Sequence, residues 1–230
     1  MKRHHLCRTA LFTLLLGACT PVISAAATAT EDSHHGHHDH AAMMAAQGDL
    51  PATQPALLPD ASIYQLDARL TDQHGDEQVF SALAGKVRLV SMFYASCKYV
   101  CPLIIDQVKR IEAELDEGQR KRLGISLITL DAANDTPEVL TALAVERKID
   151  SPRWQLMQPR SGDVRPISAL LGIQYRALPG GDFNHSSVIS LIDETGRILA
   201  RTEQLGARPD PAFVDAVRTA LDADPSTKAD

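Results

Sequence analysis

Residues 87–115, "VRLVSMFYASCKYVCPLIIDQVKRIEAEL", change their hydrophobic period at a pair of cysteines. Val87 to Ala95 form a near-continuous apolar run, the pattern of a strand buried on both faces in a central sheet. Beyond Cys101, apolar residues recur at Ile104, Val108, Ile111 and Leu115, which is one face of a helix. Pro102 suits the first helical position, where its missing N–H needs no partner, so a helix is expected from Pro102 to about Leu115. A strand running straight into a helix, with Cys97 and Cys101 at the junction, excludes an all-α or all-β reading. It leaves three roles for the pair: a static disulfide, a redox couple, or two ligands of a metal.

The rest of residues 61–222 extends that unit. "IYQLDARLTDQHGDEQVF" reads as two short strands around a turn at His74-Gly75-Asp76, which leaves His74 exposed. "GISLITLDA" is a second buried strand. Asp135 or Thr136 caps the next helix, with Pro137 early in it and an end near Ile149. "WQLMQP" reads as a short strand and "SGDVRPISALLG" as a short helix around Pro166. "SVISLID", "ETG" and "RILART" make a hairpin, and "DPAFVDAVRTALDA" a closing helix. Strands alternating with helices call for an α/β fold with a parallel core. With cysteines at the first strand-to-helix junction it resembles a thioredoxin-like fold, with an N-terminal β-hairpin and a C-terminal β-hairpin plus helix. Sites in such sheets lie beyond the carboxyl ends of the strands, where Cys97 falls.

The N-terminal stretch has another character. "MKRHHLCR" followed by "TALFTLLLGA" is a basic segment and a short apolar one, the pattern of an export signal over residues 1–18. The apolar part is too short for a bilayer, which takes about 20 residues. Leu16-Gly17-Ala18-Cys19 resembles a bacterial lipobox, with Cys19 as the lipidated residue, so the chain is expected on the periplasmic side of a bacterial membrane, inner or outer. Residues 19–60, rich in Ala, Thr, Pro and His, read as a flexible tether, and 223–230 as a frayed tail. The net charge is −6, and losing Lys2, Arg3 and Arg8 with a leader makes the mature chain more acidic still. That argues against nucleic acid as a partner.

Of four cysteines, Cys7 goes with the leader and Cys19 with the lipid, so no disulfide scaffold is possible. In an oxidising compartment the remaining dithiol becomes a disulfide unless something reduces it or binds it. Within the tether, His34, His35, His37, His38 and His40 precede Met43 and Met44. Such tracts bind transition metals, and the bland alternative is a solvated linker.

Three passages in order carry a family resemblance: "CKYVCP" after the apolar strand, "TLDAANDTPEVL", and "NHSSVISLIDETG". Across roughly residues 62–222 the chain resembles the SCO/SenC proteins, thioredoxin-fold copper chaperones for respiratory oxidases. The resemblance implies copper as cargo, Cys97, Cys101 and His185 as ligands, and matching positions for Asp131 and Asp135. It implies an oxidase copper subunit or another copper chaperone as partner, with a thiol reductant. The chain departs from the family pattern in "FYAS" ahead of Cys97, in the short "ALPGGDFN" ahead of His185, and in the His tract.

The chemistry of these residues agrees with that expectation. Cysteines four apart at a helix start share a face. The helix N-terminus, helped by Lys98, favours thiolate. Thiolates select Cu(I), and imidazole also suits copper. His185 sits on a loop that can reach the sheet end; its alternative is a pairing with Asp182. Two functions compete with copper carriage. One is thiol–disulfide exchange, with Cys97 attacking and Cys101 resolving, which reduces cysteines of an oxidase subunit or other exported protein. The other is peroxide reduction or metal buffering on the same fold.

Overall fold

A computed structural model of the chain describes residues 58–98, 100–149 and 151–223. The leader, Cys19, the histidines from His34 to His40 and the last residues of the tail lie outside them. Strands β1 (Arg69–Asp72) and β2 (Glu77–Val79) form the N-terminal hairpin around His74. Then come β3 (Arg88–Phe93), helix α1 (Val100–Ala113), a short helix α2 (Glu117–Arg122), β4 (Gly124–Thr129), α3 (Pro137–Glu146), β5 (Trp154–Pro159) and α4 (Val164–Leu171). A small ribbon, β6 (Tyr175–Ala177) with β7 (Phe183–His185), precedes β8 (Ile189–Ile192), β9 (Ile198–Thr202) and α5 (Pro211–Asp222).

Seven strands join in the order β2-β1-β5-β4-β3-β8-β9. β3, β4 and β5 run parallel, with Phe93 opposite Thr129, and β8 flanks β3 antiparallel. Parallel strands are covered on both faces. Leu89 and Phe93 of β3 join the core beneath α1, α3 and α5, while Val90 and Met92 join the core beneath α4 and two 3-10 turns. That alternation puts the carboxyl end of β3 in mid-sheet, at the mouth of α1. Among the described residues, no helix is long and apolar enough to cross a membrane.

Local boundaries differ from the sequence reading at four places, each for a physical reason. α1 starts at Val100, so Pro102 is its third residue. None of the first four N–H groups of a helix has an intrahelical partner, so proline is tolerated there, and Cys101 lies inside the first turn. α1 also ends earlier, and α2 follows through a capping box: the Asp116 carboxylate accepts from the Gln119 N–H at 2.8 Å and the Gln119 side-chain oxygen accepts from the Asp116 N–H in return. α3 stops at Glu146 because Lys148 adopts the left-handed conformation, φ 54°, which cannot continue a helix. The fourth difference is the ribbon: Gly180 and Gly181, at φ 101° and 91°, turn the chain so that "YRA" and "FNH" pair. His185 thus closes a strand and does not hang on a loop.

Candidate metal centre

The geometry begins with the turn after β3. The backbone N–H of Ala95 donates to Asp135 at 2.8 Å, and the Thr129 hydroxyl donates to the same carboxylate oxygen. The Asp131 carboxylate accepts from the Asn134 amide at 2.9 Å, and its N–H donates to the Thr129 hydroxyl. Asp131 and Asp135 are both buried and shape the loop between β4 and α3. Asp135 also ties that loop to the turn leading into Cys97. Burial pushes the Asp135 carboxyl up, against the pull of its hydrogen bonds. Replacing Asp135 by Ala orphans two donors. At about 1–3 kcal/mol for each unsatisfied group, Asp135→Ala is expected to lose about 2–6 kcal/mol. In urea denaturation the midpoint falls while the slope stays unchanged.

That turn delivers the two cysteines, both buried, at 8% and 3% exposure for Cys97 and Cys101. No disulfide joins them. The Cys101 N–H, at the open end of α1, donates to Cys97 Sγ at 3.4 Å, and the Tyr94 N–H donates to Cys101 Sγ at 3.4 Å. The helix-end argument for thiolate fails at Cys101. Burial outweighs the Tyr94 N–H and pushes this thiol well above its ordinary range, and the Cys97 neighbour adds to the shift. Cys101 therefore holds its proton until something displaces it.

The third residue arrives from the ribbon. His185 Nε2 stands 3.8 Å from Cys101 Sγ, and Nδ1 stands 3.0 Å from the Ser186 carbonyl. Only a proton on Nδ1 satisfies that carbonyl, which leaves the Nε2 lone pair facing the sulfur. Burial holds the imidazole below the usual histidine range, so it is neutral and able to ligate at neutral pH. The alternative partner, Asp182, is not what holds this ring. One ion can bridge a sulfur and a nitrogen up to about 4.3 Å apart, with bonds of about 2.3 Å and about 2.0 Å. The 3.8 Å separation fits inside that limit. Among the described residues, no three His, Cys, Asp or Glu side chains already stand at ligand spacing around one point. Completing a set with Cys97 takes side-chain rotation, a change between staggered rotamers.

A cavity of about 640 Å³ opens over the site, walled by Cys97, Lys98, Tyr94, Asp182, Phe183 and His185. Lys98 and Asp182 are exposed on its rim, and His74 is exposed in the hairpin β1–β2. Sequence reasoning missed Tyr94. It is 5% exposed, its ring stands edge-on to Phe183 and His185, and its hydroxyl donates to the Phe183 carbonyl at 3.3 Å. Burial pushes the hydroxyl's pKa up to about 12, and the Cys97 thiol adds to the shift. The one available signal was its departure from the expected residues ahead of Cys97.

Known proteins resemble this chain in sequence and fold. The sequence model of the SCO1/SenC family matches residues 59–221. A protein of Stutzerimonas stutzeri described as copper-binding is 32% identical over 85 residues, 36% of this chain and 41% of its own length. The chain thus spans less than half of that relative. Among solved structures, Bradyrhizobium japonicum ScoI with copper bound superposes at a TM-score of 0.56 with 21% identity, over 66% of this chain and 96% of its own. A SCO1/SenC family lipoprotein from Bacillus anthracis superposes at 0.59 with 20% identity, over 72% and 99%. The shared fold is thioredoxin-like.

Proposed function

The chain belongs to the SCO1/SenC family, and on that premise we propose that it is a copper metallochaperone working outside the cytoplasm. Cys97, Cys101 and His185 hold the ion, and the recipient is the copper subunit of a respiratory oxidase or another copper chaperone. The observation that carries this reading is the approach of His185 Nε2 to Cys101 Sγ, across 84 residues of chain. A neutral imidazole and two sulfurs at the start of one helix are a soft, low-coordinate donor set. Such a set suits Cu(I) and leaves room for an acceptor's ligands to enter. A closed four-ligand site would instead be structural. The cavity over Cys97 and His185 gives the acceptor its path.

The remaining parts follow the same logic. Cys19 carries the lipid that keeps the domain at the membrane. The histidines 34, 35, 37, 38 and 40, with Met43 and Met44, form an auxiliary site on a tether that raises the local copper concentration. A thiol reductant resets the pair, because a Cys97–Cys101 disulfide removes two of three donors. Two unbridged cysteines, with the Cys101 N–H on Cys97 Sγ at 3.4 Å, favour thiol–disulfide exchange as a second reading. In that role Cys97, the more exposed, attacks and Cys101 resolves.

Copper titration of the reduced mature chain, in competition with a chromogenic Cu(I) chelator, tests the proposal. It is to be run beside a chain with the five tract histidines replaced by Ala. The expected result is one tightly held Cu(I) that survives loss of the tract. Tight binding that disappears with the tract would refute the domain site.

A further inference from the structure

The ribbon β6–β7 carries His185 on one face and a second cavity on the other. Its register sets Arg176 opposite Asn184 and Tyr175 opposite His185. Side chains alternate along a strand, and residues directly opposite each other share a face. Tyr175 and His185 therefore share the inner face, where His185 Nε2 stands 3.8 Å from Cys101 Sγ, and Arg176 and Asn184 share the outer one. The outer cavity has about 400 Å³ and is lined by Gln174, Tyr175, Arg176, Asn184, His185 and Ser186, none of them acidic. The Gln174 N–H donates to the Ser186 hydroxyl at 3.0 Å and the Ser186 N–H to the Gln174 carbonyl at 2.9 Å, which ties the two strands together at the base of the ribbon. Arg165 of α4 stands over the Tyr175 ring, its guanidinium carbon 5.6 Å from the centroid. A guanidinium stacked on a ring keeps its in-plane N–H groups for a carboxylate.

Both arginines are exposed. Among the described residues, Arg122, Arg147, Arg153 and Arg218 are ion-paired, and Arg165 and Arg176 are not. The chain carries a net charge of −6, so an acidic partner is repelled by the chain as a whole and attracted here. Two cations are too few for a lipid surface, which takes clusters of about 4–8 Lys or Arg, whereas a walled polar cavity suits a carboxylate side chain. Asn184 and His185 line this cavity and also the larger one over Cys97, so a segment seated here continues to the copper donors. Resting on the copper reading above, we infer that Arg165 and Arg176 dock an acidic segment of the protein that receives the copper. Held by them, that segment brings the acceptor's own ligands to the mouth of the site in one orientation.

The test uses the reduced, copper-free mature chain, its Arg165→Gln, Arg176→Gln and double variants, and Arg122→Gln on α2 as a control. Fluorescence anisotropy follows a labelled Glu-rich peptide and the same peptide with Gln in place of Glu. The expected result is binding of the Glu-rich peptide alone, weakened about threefold by each substitution and about tenfold by both. That binding fades as salt rises and is unchanged in Arg122→Gln. In the copper-loaded chain, transfer of Cu(I) to a Glu-rich peptide bearing Cys and Met slows by the same factor in the double variant, while Cu(I) affinity in competition titration is unchanged. Equal binding of the two peptides, or Glu-rich binding unmoved in the double variant, would overturn the inference. So would binding to phosphatidylglycerol vesicles, lost in the double variant, with no binding of the peptide. A parent chain that binds the Glu-rich peptide through the two arginines but holds no Cu(I) would instead overturn the copper reading and leave the acidic docking face in place.

Discussion

Cys101→Ala is expected to weaken Cu(I) binding by about two to three orders of magnitude while the domain stays folded. Metal sites of this size bind with about 10–16 kcal/mol over three or four ligands. One donor is therefore worth about 3–4 kcal/mol, and each 1.4 kcal/mol is tenfold. Cys101 is the donor the fold has invested in most. It sits in the first turn of α1, 3% exposed, with an N–H from Tyr94 on its sulfur and His185 Nε2 at 3.8 Å. Burial makes its thiol reluctant to ionise, so a metal ion must displace that proton, and Cu(I) is soft enough to do so. Alanine favours the helix, and circular dichroism should be unchanged. Competition titration gives the affinity. A variant within threefold of the parent would remove Cys101 from the site.

His185→Ala comes second, with an expected loss of about one to two orders of magnitude for Cu(I) and a larger one for Cu(II). The imidazole is the harder donor of the three, and Cu(I) retains two soft sulfurs without it. The ring is held by Ser186 through Nδ1 and lies against Tyr94. Its removal therefore also loosens the contact between the ribbon β6–β7 and the cysteine turn. The same variant separates the two readings of the protein. Copper binding weakens in it, whereas reduction of a model disulfide by Cys97 and Cys101 persists. Unimpaired binding of both copper states, measured in the same titration, would leave His185 as a packing residue.

How much of this could be read from the sequence depends on the range of each signal. The β3–α1 junction was legible because local pattern sets it: a near-continuous apolar run through Phe93, then a helical face at Ile104, Val108 and Ile111. The hairpins at both ends were legible for the same reason, since Gly75 and Gly196 mark their turns at positive φ. The ribbon was not. Its strands are three residues each and too short for any period, although "PGGD" between "YRA" and "FNH" is a turn signal. α2 carried a readable cap in Asp116 and Gln119. The state of Cys101 was invisible, because proximity to a helix end argues for thiolate and only the packed structure shows how completely the sulfur is desolvated. Tyr94 lay in an apolar run that looked like core, and its hydroxyl gains meaning only once β7 is folded over it.

The central claim is that sulfurs from one helix entrance and a distant imidazole share one copper ion. Copper K-edge X-ray absorption on the reduced chain, with the tract histidines replaced and one equivalent of Cu(I) bound, tests it most directly. The account requires a first shell of two sulfurs at about 2.3 Å and one nitrogen at about 2.0 Å, with one sulfur lost in Cys101→Ala and the nitrogen lost in His185→Ala. A shell of nitrogen and oxygen alone, or one unchanged by both substitutions, would contradict it.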